Sequence, residues 1–352
     1  MSVFDGKRIK AEIYGSSRGE KVGVKISGFE GFSFDEASLR EFLKRRSPSS
    51  AAFSTERRES DFPVFSGVSG GKITGELVCE IKNEDVKNDG RFYGIPRPSH
   101  ADYARYLKSG ELDFSGGGEF SGRMTAPLCV LGGICKQILE KNYGVTIYSY
   151  LTRVGKVSGK GYYDGATYAD VSNGDFPSAS RGEEMLGEIR KAAEEGDSAG
   201  AEAECVIKGM PQGIGGALFG GLEGKISYVV YAVPGVKSVE FGAGSRFAEL
   251  FGSEANDRLE YDENGRVVFK TNYSGGINGG ISNGEDVVFR AAFRPVPTIG
   301  KKQKTVDLVN GRNVEISFGG RNDVCLGVRA LPVIESAAAI AVFDEISEEN
   351  KK

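Results

Sequence analysis

The chain has 352 residues, of which 27% are charged and 39% hydrophobic, and its formal net charge is −4. This length allows a large hydrophobic core in one domain or two, and the slightly acidic balance without a basic tail argues against nucleic acid or an anionic membrane as the main partner. An apolar run of roughly 18 residues is missing and the polar start lacks the apolar core of a secretory signal, so we expect neither a membrane span nor such a signal.

The five cysteines favour free thiols in a reducing compartment. They are scattered, odd in number and without a C-x-x-C pair, which suits neither a disulfide framework nor a zinc site. The residues are Cys79, Cys129, Cys135, Cys205 and Cys325. One histidine in the whole chain nearly excludes metal chemistry based on imidazole. We therefore expect a cytoplasmic protein without a metal site.

The first elements in chain order are predicted to be a strand and a helix. Apolar residues alternate over 22–26, as in a half-buried strand, and Asp35 then precedes apolar residues at helical spacing. A long helix is predicted over about 125–141, with Pro127 tolerated in its first turn. A capping box at 180–183 predicts the start of another helix.

The second half of the chain is predicted to contain two further helices and several strands. A helix over about 216–232 is ended by Pro234, and a last helix over about 331–346 is apolar on most sides. Such a helix must be buried in the protein or lie at a subunit contact. Strands are predicted near 238–241, 267–270, 287–293 and 314–318.

Glycine is the compositional outlier, with 51 residues, which is roughly double its average usage. The glycines form short clusters between patterned segments, at 116–118, 213–216, 275–280 and 319–320. Glycine is used where the backbone turns sharply or approaches a ligand closely. Loop punctuation in a large α+β protein explains part of these clusters, and the remainder predict ligand-binding loops.

The segment 97–126 carries the strongest chemical signal. It begins R-P-S-H-A-D and ends G-G-G-E-F-S-G-R-M-T-A, and it contains His100, the single histidine. Histidine is the side chain that exchanges protons near neutral pH, so His100 is the natural candidate for proton transfer. Arg97 precedes a proline and is held extended, which fixes the direction of its side chain.

Short segments that combine glycine, arginine and proline recur along the chain in a fixed order. They are G-S-S-R-G at 15–19, R-R-S-P at 45–48, T-E-R-R-E at 55–59, R-P-S-H-A-D at 97–102, the glycine-rich segment at 116–126, G-M-P-Q-G-I-G at 209–215, V-K-S-V-E-F-G at 236–242, G-G-I-N-G-G-I-S-N-G at 275–284, R-P-V-P-T-I at 294–299 and R-N-D-V-C at 321–325. No single string is decisive. Together and in this order, they make the chain resemble chorismate synthases along almost its whole length.

The resemblance implies a lyase that converts 5-enolpyruvylshikimate 3-phosphate into chorismate and phosphate by anti-1,4-elimination, the last common step of aromatic amino acid biosynthesis. Reduced FMN would lend an electron and regain it, with flavin nitrogen-5 accepting the ring proton. The sequence lacks a dinucleotide-binding fingerprint of the form G-x-G-x-x-G in a strand–turn–helix context. We therefore expect the flavin to be reduced from outside the protein, with NADPH as a candidate external source of electrons.

The family also implies the architecture and the partners. We expect an α+β fold, a β-α-β sandwich of antiparallel sheets with helices packed outside, in a single domain over 1–352 with a polar tail from about Glu348. A homotetramer that binds a small phosphorylated dicarboxylate is implied, without nucleic acid or membrane partners.

The resemblance assigns roles to individual residues. His100 would be the general acid, which protonates the departing phosphate or holds the charge of the reduced flavin. Asp323 would help to move the ring proton towards the flavin, although an aspartate in a turn is normally a local cap. Arg18 and Ser17 complete the catalytic set. The flavin set is Glu119, Phe120, Ser121, Pro234, Gly235, Gly279, Arg294, Pro295, Val296, Pro297, Thr298 and Arg321.

Arginines inside the motifs are candidates for binding the substrate, which carries a phosphate and two carboxylates. Guanidinium groups pair with such anions in a bidentate manner, and the alternative for each arginine is a solvated surface charge. Arg45 and Arg46 end a predicted helix, where one of them can instead complement the helix dipole. The predicted substrate set is Arg46, Arg57, Arg97, Arg123 and Arg329.

Several residues depart from the family pattern. Chorismate synthases normally begin with G-E-S-H-G, in which a second catalytic histidine assists protonation around the flavin, and Arg18 stands at that position here. Arginine cannot donate a proton at a useful rate, but it can hold a negative charge. Asn322 replaces another family histidine, and Glu119 with Phe120 replaces a common R-S pair.

Two functions therefore remain open from the sequence. The first is a working chorismate synthase with an altered proton path, which the retention of His100, Arg97, Arg123 and Asp323 favours. The second is a catalytically impaired relative that keeps the fold and binds FMN or an anionic metabolite, which Arg18 favours. A purely structural protein would not need arginine-lined glycine loops.

Overall fold

The computed structural model describes residues 1–47, 59–86, 92–172, 176–320 and 322–349. Within these ranges the chain forms sixteen strands and eight α-helices. The strands are β1 (Ser2–Asp5), β2 (Lys10–Gly15), β3 (Lys21–Ser27), β4 (Pro63–Ser69), β5 (Lys72–Lys82), β6 (Thr146–Val154), β7 (Val157–Ser158), β8 (Ala201–Lys208), β9 (Val236–Phe241), β10 (Leu259–Tyr261), β11 (Val267–Phe269), β12 (Ile277–Asn278), β13 (Ile281–Ser282), β14 (Val287–Phe293), β15 (Gln303–Asp307) and β16 (Arg312–Ile316). The helices are α1 (Glu36–Lys44), α2 (Asp102–Ser109), α3 (Thr125–Tyr143), α4 (Tyr168–Ser172), α5 (Gly182–Glu194), α6 (Leu222–Tyr231), α7 (Gly252–Ala255) and α8 (Gly327–Glu349).

Ten of these strands form two five-stranded antiparallel sheets. The first sheet has the order β1-β2-β3-β5-β4 and the second has the order β7-β6-β8-β14-β9. The other strands pair as short hairpins, β10 with β11, β12 with β13 and β15 with β16. In β3, Val22, Val24 and Ile26 are fully buried while Lys25 is exposed, so one face of the first sheet covers the core.

The two longest helices lie between the sheets. α3 packs on β3 and β5 of the first sheet, α8 packs on β6 and β8 of the second, and the two helices pack along each other. The α+β class and the β-α-β sandwich of antiparallel sheets are confirmed, and α3 and α8 form the layer between the two sheets rather than lying outside them. Both helices are apolar almost all round, so every side of each must be covered, and a position between two sheets achieves this.

Adjacent glycines in α3 allow this central layer to pack closely. A Cβ on Gly132 would lie 2.2 Å from Cβ of Ser336 in α8, and a Cβ on Gly133 would lie 2.5 Å from Cδ1 of Leu39 in α1. Both distances are far shorter than van der Waals contact, so a side chain at either position would push a neighbouring helix away. The close approach offsets the cost of about 1 kcal/mol that each glycine adds to a helix.

Most of the predicted elements are confirmed. The strand at 22–26 and the helix at 125–141 are β3 and α3, and Asp35 caps α1 by accepting a 2.7 Å hydrogen bond from the backbone N of Ser38. The last helix extends through Glu349 and is largely buried over the residues whose burial is described, as predicted.

Two helix starts differ from the prediction. In one, the predicted capping side chain binds another segment, and in the other, the glycine-rich residues form a turn before the helix. The capping box at 180–183 is wrong, since Ser180 accepts a hydrogen bond from the backbone N of Lys160 at 2.8 Å and the residue before α5 is Arg181. The helix predicted from 216 begins at Leu222, after a glycine-rich segment that forms a short 3₁₀ turn.

The described ranges contain no helix long and apolar enough to cross a lipid bilayer. All five cysteines lie in these ranges; they are free, as predicted, and all are buried. Over the same ranges, no group of three or more His, Cys, Asp or Glu side chains is arranged to hold a metal ion.

Candidate active site

A cavity of about 760 Å³ opens where the C-terminal end of α1 meets the N-terminal ends of α3 and α8. The segments before α2 and α3, the connection from α6 to β9 and the segment after β14 form the rest of its walls. Most of the predicted site residues line it, namely Arg46, Arg97, His100, Glu119, Phe120, Ser121, Arg123, Pro234, Gly235, Arg294, Val296, Pro297, Thr298, Asp323 and Arg329.

Six of the predicted site residues are not among the residues that line the cavity. Arg57 and Arg321 lie outside the described residues. Ser17, Arg18, Gly279 and Pro295 are described but are not in the lining. Ser17 is buried below the glycine-rich segment, where its backbone N donates to the carbonyl of Gly118 at 3.4 Å. Gly279 lies in the turn between β12 and β13.

His100 is oriented by a neighbour in sequence. Its Nδ1 lies 2.6 Å from Oδ1 of Asp102, the first residue of α2. Among the described residues, its other ring nitrogen, Nε2, has no hydrogen-bond partner, and the residue lines the cavity. A carboxylate bound to one ring nitrogen fixes the tautomer and the direction of the other, so this arrangement is suited to proton transfer into the cavity.

The same carboxylate binds Arg97. Arg97 donates to Oδ2 of Asp102 from Nε at 2.7 Å and from its backbone N at 3.0 Å, and to Oδ1 from Nη2 at 2.8 Å. Burial opposes ionisation of Asp102, but the hydrogen bonds from Arg97 and His100 outweigh burial and hold the pKa of this carboxyl well below its ordinary value. Sequence reasoning did not assign Asp102 to the site, although its place two residues after the histidine was a usable signal.

A second buried carboxylate joins two arginines of the predicted substrate set. Asp61 forms an ion pair with Nη2 of Arg46 through Oδ2 and with Nη1 of Arg123 through Oδ1, and all three residues are at most 5% exposed. Burial opposes ionisation of Asp61, but the two guanidinium groups lower its pKa to about 2. The carboxylate therefore keeps two like charges together at the cavity wall.

Arg123 is fixed by further contacts. Its Nε donates to Oδ1 of Asn83 at 2.8 Å, and its Nη2 donates to the carbonyl of Lys82 at 2.9 Å and lies 3.6 Å from Oε2 of Glu59. Asp61 itself has a φ of +50°, a conformation that costs energy for a residue with a side chain. The contacts of its carboxylate with both arginines offset that cost.

Arg329 connects Asp323 to the predicted substrate set. Its Nη1 lies 2.7 Å from each carboxylate oxygen of Asp323, and its Nε donates to the carbonyl of Arg46 at 2.8 Å. Arg45 is used differently, because its guanidinium binds the fully buried Glu335 at 2.7 and 2.9 Å. Of the two adjacent arginines at the end of α1, Arg46 therefore lines the cavity, whereas Arg45 stabilises the packing of α1 against α8.

Two cations of the lining have no carboxylate partner among the described residues. Arg294 donates to the carbonyls of Ser99 and Pro295, and Lys237 is exposed at the start of the neighbouring strand β9. The backbone N of Arg294 donates to the carbonyl of Gly235 at 2.9 Å, which places both cations at one end of the sheet. These uncompensated charges attract an anion such as phosphate. Sequence reasoning missed Lys237, although it lies in V-K-S-V-E-F-G.

The lining also contains the apolar surface that a flavin requires. Phe120 is 43% exposed and shares the lining with Val233, Val296 and Leu326. The cavity volume lies within the range of roughly 300–1,000 Å³ that is usual for small-molecule sites. Apolar side chains for an isoalloxazine ring and uncompensated cations for a phosphate occur in one cavity, so the residues fit FMN.

Arg18 lies behind the glycine-rich segment. Its Nη1 donates to Oδ2 of Asp113 at 2.7 Å and to Oγ of Ser115 at 3.3 Å, and its Nη2 lies 3.6 Å from Oε1 of Glu111. Its positive charge is thus matched by carboxylates within the described chain.

The fold and the site together define an α+β enzyme with an arginine-rich cavity that contains one oriented imidazole. The family model for chorismate synthase matches residues 9–346. The chain belongs to the chorismate synthase family.

Individual relatives cover nearly the whole chain. Chorismate synthase of Methanocaldococcus jannaschii is 36% identical over 357 residues, covering 96% of this chain and 94% of that protein. The enzyme of the same name from Thermococcus gammatolerans is 39% identical over 349 residues, with coverages of 97% and 96%. A solved structure described as "Crystal Structure of Chorismate Synthase" has a TM-score of 0.75 at 22% identity and covers 98% of this chain and 93% of that chain, which supports the fold.

Proposed function

We propose that the protein converts 5-enolpyruvylshikimate 3-phosphate into chorismate and phosphate, with reduced FMN as cofactor and His100 as the acid. One observation carries the proposal: His100 lines an arginine-rich cavity, with Nδ1 bound to the buried Asp102 and with Nε2 free of any hydrogen bond to the described residues. An impaired relative that only binds anions would need the arginines but not an oriented imidazole, so this geometry favours the working enzyme.

The charges of the cavity suit a substrate with a phosphate and two carboxylates. Arg46, Arg97, Arg123 and Arg329 are each held by a carboxylate, which fixes their positions before the ligand arrives. A guanidinium group has five N–H donors, so an arginine that gives two or three of them to a partner retains others for a ligand. Such preorganisation lowers the entropic cost of binding.

In the proposed reaction, His100 donates a proton or a charged hydrogen bond to the departing phosphate, whose negative charge grows as the C–O bond breaks. Asp102 holds the imidazole in position, and Asp323, held by Arg329, assists the removal of the ring proton. Reduced FMN supplies, when bound, the transient electron donation that this elimination needs. Ser17 does not line the cavity. We propose that it contributes indirectly, through the hydrogen bond of its backbone N to Gly118 in the glycine-rich segment.

The cofactor is proposed to lie along 119–121, 234–235 and 294–298, with its phosphate towards Lys237 and Arg294. We propose that the flavin is reduced externally, with NADPH as the source of electrons outside this chain. The apolar lining beside these two cations supports this orientation.

Replacing Lys237 with glutamine is expected to weaken FMN binding about tenfold and to leave riboflavin binding unchanged. Riboflavin lacks the phosphate, and the loss of one charged hydrogen bond of about 1.5 kcal/mol corresponds to roughly that factor. Titration of oxidised flavin fluorescence measures both affinities, and Lys44→Gln, which removes an exposed lysine on α1, is the control. Equal weakening for both flavins would contradict a phosphate contact, and a loss restricted to the substrate would assign Lys237 to the substrate phosphate.

We further propose that the protein is a homotetramer in the cytoplasm. Leu218 and Phe219 are 91% and 99% exposed on the turn before α6, and such apolar residues support a contact between copies. The free, buried cysteines suit a reducing compartment.

The activity is tested with purified protein and photoreduced FMN under anaerobic conditions. We expect 5-enolpyruvylshikimate 3-phosphate to yield chorismate and phosphate in equal amounts, and oxidised FMN to support no turnover. Tight binding of substrate and FMN without formation of chorismate would contradict the proposal. It would show instead that the protein is a catalytically impaired relative that binds these ligands.

A further inference from the structure

Five charged side chains of alternating sign form a continuous network behind the glycine-rich segment. In spatial order they are Asp113, Arg18, Glu111, Arg105 and Glu119. Arg105 forms an ion pair with Glu111, and its Nε lies 3.9 Å from Oε1 of Glu119. Of the five, Glu119 lines the cavity, so the network extends from Arg18 to the site.

The two arginines of this network flank the backbone of Gly118. A Cβ built on Gly118 would lie 3.4 Å from Nη2 of Arg18 and 3.6 Å from Nη1 of Arg105. The φ of Gly118 is +54°, and its carbonyl accepts hydrogen bonds from the backbone N atoms of Ser17 and Ser121, each at 3.4 Å. The guanidinium groups of both arginines therefore lie close to the turn that leads to the cavity wall.

The charges of Arg18 and Arg105 are compensated inside the network. Their side chains are 19% and 13% exposed, and their partners carry three negative charges against two positive ones. Guanidinium groups matched in this way add little net attraction for an anion in the cavity, whereas their rigid, planar forks are suited to fixing a loop.

We propose that Arg18 and Arg105 are positioning residues, which hold the glycine-rich segment so that Phe120 and Ser121 form the cofactor-binding wall. Arg18 then supplies neither a proton nor a net charge to the reacting atoms. Arg105 lies one turn along α2 from Asp102, so a single helix orients the imidazole and braces the loop. The inference rests on the proposed FMN site.

The test uses the full chain with Arg18→Gln and Arg18→Lys. Hydrogen exchange of the backbone amides 116–121 in the free protein reports on the loop, and titration of oxidised FMN reports on the wall. We expect Arg18→Gln to accelerate this exchange and to raise the Kd for FMN about tenfold, the equivalent of one charged hydrogen bond. At saturating FMN and substrate, kcat falls by less than about threefold and keeps its pH profile, because the acid is untouched. Arg18→Lys keeps a cation near Asp113 and restores most of the affinity.

Asp113→Asn separates position from charge. If Arg18 acted on the ligand through its charge, the loss of its anionic partner would tighten FMN binding. If Arg18 braces the loop, the same change weakens FMN binding, and this is the expected result. Tighter binding in Asp113→Asn would overturn the inference, as would unchanged exchange of amides 116–121 in Arg18→Gln.

Two further variants complete the design. Arg266→Gln removes an arginine that pairs with Asp262 at an exposed turn, and it is expected to change neither exchange at 116–121 nor FMN affinity. A large rise in kcat on Arg18→His would overturn the inference, since it would show that proton transfer at this position had been lost. Failure of the parent protein to bind FMN would contradict the proposed function instead, and exchange in the free protein would still decide whether Arg18 braces the loop.

Discussion

Replacing His100 with glutamine is expected to lower kcat by about three orders of magnitude, within the range of roughly 10²–10⁴ for the loss of a proton-transfer group. His100 is the single imidazole of the chain, and Asp102 fixes its Nδ1. Glutamine retains a hydrogen-bonding side chain of similar size but cannot give up a proton at neutral pH. Steady-state kinetics with photoreduced FMN under anaerobic conditions measure the loss.

The affinity for oxidised FMN separates a chemical effect from a structural one. We expect the Kd of the His100→Gln variant for oxidised FMN to stay within about twofold of the parent value. The reason is that Lys237 and Arg294, and not His100, are proposed to bind the cofactor phosphate. Asp102→Asn is expected to lower kcat by a smaller factor, since the imidazole remains but loses its fixed tautomer. If His100→Gln kept kcat within about tenfold of the parent, a role as principal acid would be excluded.

Replacing Asp61 with asparagine is expected to lower the free energy of unfolding by about 3–5 kcal/mol, the usual cost of removing one partner from a buried ion pair. Asparagine leaves Arg46 and Arg123 as like charges, which are 3% and 5% exposed. Urea denaturation at neutral pH measures the change. Glu36→Gln is the matched control, because it breaks an exposed pair with Arg40 on α1, worth about 0.5 kcal/mol or less.

The same carboxylate predicts how stability depends on pH. The pKa of Asp61 is lowered from 3.8 to about 2 in the folded protein, so its contribution is complete above about pH 4 and is lost as the pH falls towards 2. A shift of this size corresponds to about 2 kcal/mol. Asp61→Asn should therefore show a shallower loss of stability between pH 4 and pH 2. Equal stability and an equal slope in both proteins would disprove the role of Asp61.

The parts of the fold and site that depend on local sequence could be predicted. Alternation in β3, the cap formed by Asp35 and the apolar character of α3 and α8 each follow from residues close together in the chain. The segment R-P-S-H-A-D likewise identifies His100 and Arg97, because these residues contact one another through a carboxylate five positions from the arginine.

The parts that depend on contacts between distant residues could not be predicted. Asp61 binds arginines that lie 15 and 62 positions away, and Arg18 binds Asp113 at a distance of 95 positions. Periodicity predicts that α3 and α8 are buried but contains no information on which layers cover them. The motif at 15–19 therefore identifies an altered position, whereas the ion-pair partners of Arg18 become visible only in the structure.

The compactness of the segment 97–102 has a consequence for how this enzyme diverges. The proposed proton donor His100, its carboxylate partner Asp102 and the proposed anion-binding Arg97 lie in one short stretch of chain, so they are inherited together. Substitutions elsewhere, such as the arginine at position 18, can alter the outer charges without misaligning the donor. Relatives that have abandoned the chemistry should therefore be recognised by changes within 97–102, and exchanges at position 18 alone should be compatible with an active lineage.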